Sequence, residues 1–269
     1  MKEKVLITGS DGFIGKTLIR RLTGRYDIVQ YDLKQGFDIL NFEQLRKAVI
    51  GVDYIVHLAA VSNIPVSVEK PIDTYKINVI GTENVISLAS EYNAKVIFAS
   101  SAAIFYPTSS PYAYTKLINE VQLKDSSCRW TALRFFNVYG KGSISVVPKF
   151  IGLISKGETV EVYGDGKRIR DYIFVEDICR AIEFAFEAKS NYKTIEIGTG
   201  VGTDINNLIK TIEIVVGRAA NVIHSASRGF DPPESIAHTH VAKTFLDFES
   251  KISLAEGIQK LIEDDNEEV

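Results

Sequence analysis

Tyr112 and Lys116 stand four residues apart in Pro111-Tyr112-Ala113-Tyr114-Thr115-Lys116, a spacing that projects both side chains from one face of a helix. A phenol beside an ammonium is acid/base chemistry, because the positive charge favours the phenolate and draws the tyrosine pKa towards neutral pH. Spacing alone does not select this pair, since Tyr163 and Lys167 repeat it. Those two enclose Gly164-Asp165-Gly166, a turn, which takes their side chains off a shared helix face. Tyr114 has nothing basic four residues beyond it. Ser100 and Ser101 close an apolar run, at the sheet edge where ligands gather in open α/β folds. A serine hydroxyl there can bond a reacting oxygen, or simply cap the next helix.

A second chemical segment is Thr8-Gly9-Ser10-Asp11-Gly12-Phe13-Ile14-Gly15. Gly9, Gly12 and Gly15 follow an apolar strand, Val5-Leu6-Ile7-Thr8, and open a helix from Phe13 to Leu22. Glycines so placed let the backbone turn tightly, approach a pyrophosphate and present the amides of a helix N-terminus to it. Asp32 ends the second strand, where a carboxylate accepts hydrogen bonds from the adenosine ribose hydroxyls and repels a 2′-phosphate. The expected cofactor is therefore NAD rather than NADP, a preference that Lys34 moderates.

These residues need a scaffold. Strands are expected at 5–8, 27–32, 54–58, 95–100 and 131–135, with helices at 13–22, about 72–92 and 112–123. Strand–helix alternation with near-continuous apolar strands predicts an α/β fold, a doubly wound parallel sheet covered on both faces. After Gly140 the elements shorten around Gly142, Pro148, Gly152, Gly157, Gly164 and Gly166. The run 194–197 reads as a late return to the main sheet, and 254–262 as a helix. Residues 1–142 with about 172–198 are thus expected to form a Rossmann-type dinucleotide domain, and 143–171 with about 199–269 a smaller C-terminal lobe.

Composition narrows the partners. The 269 residues are 45% hydrophobic with a net charge of −3 and no long basic run, which gives no support to a nucleic-acid or anionic-membrane surface. No apolar stretch is long enough to cross a bilayer, and the N-terminus enters a buried-strand pattern directly, so a cytoplasmic protein is expected. Cys128 and Cys179 each stand alone, which builds neither a disulfide framework nor a metal site. His238 and His240 lack cysteine partners, and no metal is expected. The acidic tail 263–268 reads as a solvated terminus.

The ordered motifs resemble those of the extended short-chain dehydrogenase/reductases, specifically the NAD-dependent nucleotide-sugar epimerase/dehydratase group. Residues 8–15 match its TGxxGFIG turn, Asp38-Ile39 its adenine-contacting pair, and His57-Leu58-Ala59-Ala60 its HLAA strand end. Asn78-Val79-Ile80-Gly81-Thr82 matches NVxGT, Ser100–Ile104 resembles SSATV, and Pro111–Lys116 resembles PYxxSK. Further on, 133–140 resembles LRxFNVYG, 163–166 with 170–177 the GDGxxxRDFIYVxD block, and 197–200 the NIGTG strand.

The resemblance implies a catalytic trio of Ser101, Tyr112 and Lys116. It implies NAD contacts from Gly9, Gly12, Phe13, Ile14, Gly15, Asp32, Asp38, Ile39, Leu58, Ala59, Ala60, Asn78, Tyr112 and Lys116. The smaller lobe becomes a substrate-binding lobe, with Asn137, Tyr163, Arg170 and Arg228, beside Ser101, facing a nucleotide-diphosphate sugar. Arginine suits a diphosphate because its planar fork binds two oxygens at once. UDP- or dTDP-linked sugars are the expected substrates, and a homodimer through the helices 75–92 and 112–123 the expected assembly.

Departures from the family pattern select among its activities. Dehydratases carry Asp-Glu after the catalytic hydroxyl, and sugar-acid decarboxylases keep the glutamate, whereas Ala102 and Ala103 stand here. Phe105-Tyr106 replaces the usual Tyr-Gly, and only ten residues separate Ser101 from Tyr112, where relatives insert a longer loop. The leading expectation is epimerisation at C4 of the sugar through a 4-keto intermediate. A 4-ketoreductase consuming NAD(P)H needs the same trio, and a non-catalytic dinucleotide sensor ranks third because such proteins usually lose the Tyr/Lys pair.

Overall fold

The computed structural model describes residues 2–227 and 232–266. Its strands are β1 (Lys4–Thr8), β2 (Asp27–Tyr31), β3 (Tyr54–His57), β4 (Lys95–Ser101), β5 (Arg129–Phe135) and β6 (Asn137–Tyr139). They continue as β7 (Thr159–Tyr163), β8 (Ile169–Phe174), β9 (Lys193–Ile197), β10 (Gly202–Asp204), β11 (Asn221–Ser225) and β12 (Glu234–Ser235). The described chain divides into two compact units. The first takes the chain up to Phe135 together with 179–196 and 241–248, and the second takes 136–178, 197–240 and the segment from Glu249 onward. The seams expected after 142 and near 172 thus lie at Phe135, where β5 ends, and at Cys179, inside the helix Val175–Phe184.

In the first unit one six-stranded sheet runs in the order β2-β1-β3-β4-β5-β9, so 194–197 does return to it. The pairs β1–β2, β1–β3, β3–β4 and β4–β5 are parallel. Val5, Leu6, Ile7, Ile55, Val56 and Val96 are fully buried, as strands covered on both faces require. Leu45, Val49, Val85, Leu88, Ala89 and Leu123 of the flanking helices pack with Tyr31, Phe98 and Trp130 into the core on one side. Strand order reverses between β1 and β3, the switch point of a doubly wound Rossmann-type sheet, where a crevice opens beyond the strands' carboxyl ends. Thr8, the glycine turn and His57-Leu58 meet there, with Leu58 N bonded to Thr8 O at 3.1 Å.

One expected helix is divided. In place of 72–92 there are Pro71–Tyr75, a π turn at Lys76–Ile80 and Gly81–Tyr92. Gly81 N bonds to Lys76 O, five residues back. The widened turn seats Asn78 against Val61 and lets Ile39 Cδ1 lie 2.4 Å from where a Cβ on Gly81 would stand. Apolar periodicity cannot register one extra residue, which is why the break escapes a pattern reading. Strand β2 likewise stops one residue short of Asp32, because Asp32 caps the short turn Leu33–Gln35 by accepting from Lys34 N.

In the second unit β8 pairs with β10 antiparallel and with β6 and β12 parallel, and β7 pairs with β11 parallel. The helices Val146–Lys156, Ile205–Val216 and Leu254–Asn266 belong to it. Cys128 and Cys179 are buried free thiols. Among the described residues no helix is long and apolar enough to cross a membrane, and no group of His, Cys, Asp and Glu is arranged to hold a metal ion.

Candidate active site

The glycine turn is built for close approach. Gly9 has φ +73°, and a Cβ there would stand 2.8 Å from Ala59 N. A Cβ on Gly15 would meet Gly9 O at 2.4 Å and Ser10 O at 2.7 Å, so only glycine lets the helix start against the turn. Gly12 is the N-cap of Phe13–Leu22 and offers no side-chain acceptor, and the first turn carries no acidic residue. The free amides and the positive end of the helix dipole are left for an external anion.

Ser10 Oγ is buried without a partner among the described residues, a donor aimed at nothing in the chain itself. Asp32 accepts from Asp11 N at 3.0 Å, which ties its carboxylate to the glycine turn. Phe13, Ile14, Leu58, Ala59 and Ala60 are half-buried along this edge. Asp38 Oδ1 caps Leu40 N at 2.9 Å while Ile39 is 5% exposed, packed at Gly81. These residues fit a dinucleotide.

Asn78, 1% exposed, sits in the π turn. Its Oδ1 accepts from Val61 N at 2.8 Å, and its Nδ2 donates to Val61 O at 3.1 Å and to Thr115 Oγ1 at 2.9 Å. Thr115 passes the connection on by donating to Tyr112 O at 2.8 Å.

The helix Pro111–Asp125 carries the reactive pair. Ser110 caps it by accepting from Ala113 N, and Pro111 occupies the first turn, where a missing amide costs nothing. Ser101 ends β4 and accepts from Ala103 N at 3.1 Å, so the serine caps the turn that follows. Its hydroxyl stands beside the Tyr112 phenol, near enough to lower the phenol's pKa. Lys116 is 4% exposed. Its Nζ donates to Ala99 O at 2.7 Å, lies 4.5 Å over the Phe98 ring and stands 5.9 Å from the centre of the Tyr112 ring. The three expected catalytic side chains are therefore brought together.

Their electrostatics differ from the expectation. Burial holds the Tyr112 phenol above its ordinary 10.0, and the Ser101 hydroxyl opposes this. Lys116 itself is pushed down to about 7 by burial, opposed by the Glu120 charge. The lysine points at a backbone carbonyl rather than at the phenol oxygen, so within the chain alone it does not make Tyr112 more acidic.

Beneath the trio lies a network that motif reading missed. Glu120, 2% exposed, accepts from Ser100 Oγ at 2.6 Å and from Arg134 Nε and Nη2 at 2.9 and 2.8 Å. The Arg134 guanidinium in turn lies 5.2 Å over the Phe105 ring. A buried carboxylate is tolerated because the bidentate fork and the serine satisfy it. The signal available in the sequence was the four-residue spacing of Lys116 and Glu120; the third partner comes from β5, which spacing cannot reveal.

Of the residues expected to face the substrate, Asn137, Tyr163 and Arg170 belong to the second unit and Ser101 to the first. Asn137 Nδ2 donates to Asp171 O at 3.3 Å, Tyr163 donates to Glu161 Oε2 at 2.6 Å, and Arg170 Nη1 donates to Ile169 O at 2.6 Å. The Asp171 carboxylate beside Arg170 accepts from Thr199 N, Thr199 Oγ1, Gly200 N and Ala237 N, which fixes β8 to the Gly198-Thr199-Gly200 turn. Arg228 lies outside the described residues.

Residues 5–198 match the model of the NAD dependent epimerase/dehydratase family. A UDP-glucose 4-epimerase of Mycolicibacterium smegmatis is 30% identical over 307 residues, covering 97% of each chain. The crystal structure of a UDP-glucose 4-epimerase from Thermotoga maritima with UDP-glucose superposes with a TM-score of 0.91 at 28% identity, over 98% of this chain and 99% of that one. MoeE5 in complex with UDP-glucose and NAD gives 0.90 at 26% identity, over 98% of this chain and 99% of that one.

Proposed function

Because the chain belongs to the NAD dependent epimerase/dehydratase family, we propose that it binds NAD in the first unit and interconverts the C4 epimers of a nucleotide-diphosphate sugar. One observation carries the choice of reaction: Ser101, Tyr112 and Lys116 share a site in which Ala102 and Ala103 follow the serine. Dehydration or decarboxylation calls for a further acid/base group at that place, and an alanine methyl moves no proton. Epimerisation needs only one group to take and return one proton.

Tyr112 takes the proton of the C4 hydroxyl as the sugar is oxidised to the 4-keto form, and gives it back when the carbonyl is reduced from its other face. Ser101, whose hydroxyl stands beside the phenol, holds the reacting oxygen. Lys116 holds the nicotinamide ribose, its ammonium positioned by Ala99 O and the Phe98 ring. Bound NAD supplies the hydride acceptor and a positive charge that favours the Tyr112 phenolate. The second unit binds the nucleotide and diphosphate through Asn137, Tyr163, Arg170 and Arg228. A uridine or thymidine diphosphate is the proposed carrier, since the similar proteins above are named for UDP-glucose.

Two further expectations belong to this proposal. Ile72 (70% exposed), Ile80 (53%), Val121 (49%), Tyr114 (44%) and Tyr75 leave an apolar surface on the helices beside the site, which supports a homodimer; a solution mass of twice 29.9 kDa tests it. Free thiols at Cys128 and Cys179 suit the reducing cytoplasm.

The alternative is a 4-ketoreductase, and one experiment separates the two. Purified protein given UDP-glucose and no nicotinamide is expected to yield both C4 epimers. Stoichiometric consumption of NADH with a keto-sugar nucleotide, and no turnover without it, would establish the ketoreductase instead.

A further inference from the structure

His57 is 1% exposed at the end of β3, and both ring nitrogens are used. Nδ1 lies 2.7 Å from Thr8 Oγ1 and Nε2 lies 3.0 Å from Thr82 Oγ1. Counting protons fixes the tautomer. Thr82 Oγ1 stands 2.5 Å from Asn78 O, and a carbonyl only accepts, so the single hydroxyl proton of Thr82 goes there. Thr82 must then accept from His57, which places the imidazole proton on Nε2. Nδ1 is left as an acceptor and takes the Thr8 hydroxyl proton, while Thr8 Oγ1 itself accepts from Ala59 N at 3.3 Å. Every hydrogen bond in the chain from Ala59 through Thr8, His57 and Thr82 to Asn78 therefore has one direction.

The ends of that chain are the walls of the cofactor cradle. Thr8 precedes Gly9, Ala59 N stands where Gly9 admits no Cβ, and Asn78 occupies the π turn. The Asn78 carbonyl takes a second donor, Asn119 Nδ2 at 2.8 Å, from the helix that bears Tyr112 and Lys116. We propose that His57 is a positioning residue: a permanently neutral, Nε2-protonated imidazole that spaces the glycine turn, the end of β3 and the Asn78 turn, and thereby sets the affinity for NAD without transferring a proton. Two further facts agree. Burial, with the Lys116 charge, pushes its pKa down to about 3, and its other flank is the Phe98 ring at 5.8 Å, which offers no acid or base.

This rests on the reading of the first unit as the NAD site, and the tests separate the two. In 15N-histidine-labelled protein, the signal missing from His57→Gln is expected to show the Nε2–H tautomer, unchanged between about pH 5.5 and pH 8.5, the span in which an ordinary histidine titrates. An Nδ1–H tautomer or a titration in that range would overturn the proposal. His57→Leu leaves the hydroxyls of Thr8 and Thr82 each short of a partner and is expected to weaken NAD binding about tenfold, with kcat at saturating NAD close to wild type. His57→Gln, which keeps one donor and one acceptor, is expected to recover part of the loss. Thr82→Val cuts the same chain at a smaller side chain and carries the test if His57→Leu does not fold. Wild-type affinity in a folded His57→Leu or Thr82→Val overturns the positioning role alone. Wild-type protein that binds no NAD overturns the functional reading, and this proposal with it.

Discussion

Replacing Tyr112 by Phe is expected to lower kcat for C4 epimerisation about 10³-fold, the usual worth of a general acid/base, while leaving NAD binding and the melting temperature nearly unchanged. The phenol oxygen is the only group removed. Its polar neighbour is the Ser101 hydroxyl, and even a full neutral hydrogen bond there would contribute only about 1 kcal/mol. The ring stays wedged at the head of the Pro111–Asp125 helix, whose cap at Ser110 and anchor at Thr115 do not depend on the hydroxyl. Initial rates with saturating substrate, beside a thermal melt and an NAD titration, check this. Tyr114→Phe, two residues on and 44% exposed, is the matched control and should retain full activity.

The second large effect is expected at Gly15. An alanine there brings Cβ to 2.4 Å from Gly9 O and 2.7 Å from Ser10 O, both backbone atoms that no rotamer can move. Relief comes only by pushing the glycine turn away from the helix Phe13–Leu22, at a cost of about 1–3 kcal/mol in stability. The same displacement spoils the alignment of the turn's amides on the pyrophosphate, and NAD affinity is expected to fall at least about 100-fold, since several charge-assisted bonds are lost together. Gly152→Ala is the control: among the described residues nothing beyond its chain neighbours and its own helix backbone lies within 4 Å of its Cβ position in the helix Val146–Lys156. It should stabilise the fold slightly, by about 0.5–1 kcal/mol, and leave NAD binding alone. Calorimetric titration with denaturant unfolding reads both quantities.

What these two predictions use was readable from local sequence. Gly9, Gly12, Gly15 and Asp32 act through backbone turns and one strand end, and such chemistry is written in consecutive residues. Tyr112 and Lys116 share a helix face because four residues make about one turn. The direction in which Lys116 points, by contrast, depends on Ala99 and Phe98 of β4. The raised phenol and the lowered ammonium depend on burial, which belongs to the whole fold. The π turn at Lys76–Ile80 escaped because one inserted residue leaves the apolar rhythm on both sides intact. The Glu120–Arg134 pair escaped because its members come from a helix and a strand with no pattern linking them. Asp171 shows the same limit: its neighbour Arg170 was singled out, while the carboxylate that fixes 199–200 and 237 was legible only once those segments met.

The shortened interval from Ser101 to Tyr112 folds as two short turns, Ala102–Phe105 and Pro107–Ser109, pinned at Phe105 by the Arg134 guanidinium. The trio is thus held without the longer loop that the family resemblance led one to expect. The central claim is that one proton acceptor and a retained NAD suffice for a redox-neutral inversion at C4. Its most direct test is the fate of deuterium placed at C4 of UDP-glucose, incubated with the protein in ordinary water without added nicotinamide. The account predicts that the C4-epimeric product keeps the deuterium at C4. Replacement of that deuterium by solvent hydrogen would contradict it, since the atom would then have left as a proton rather than travelled as a hydride.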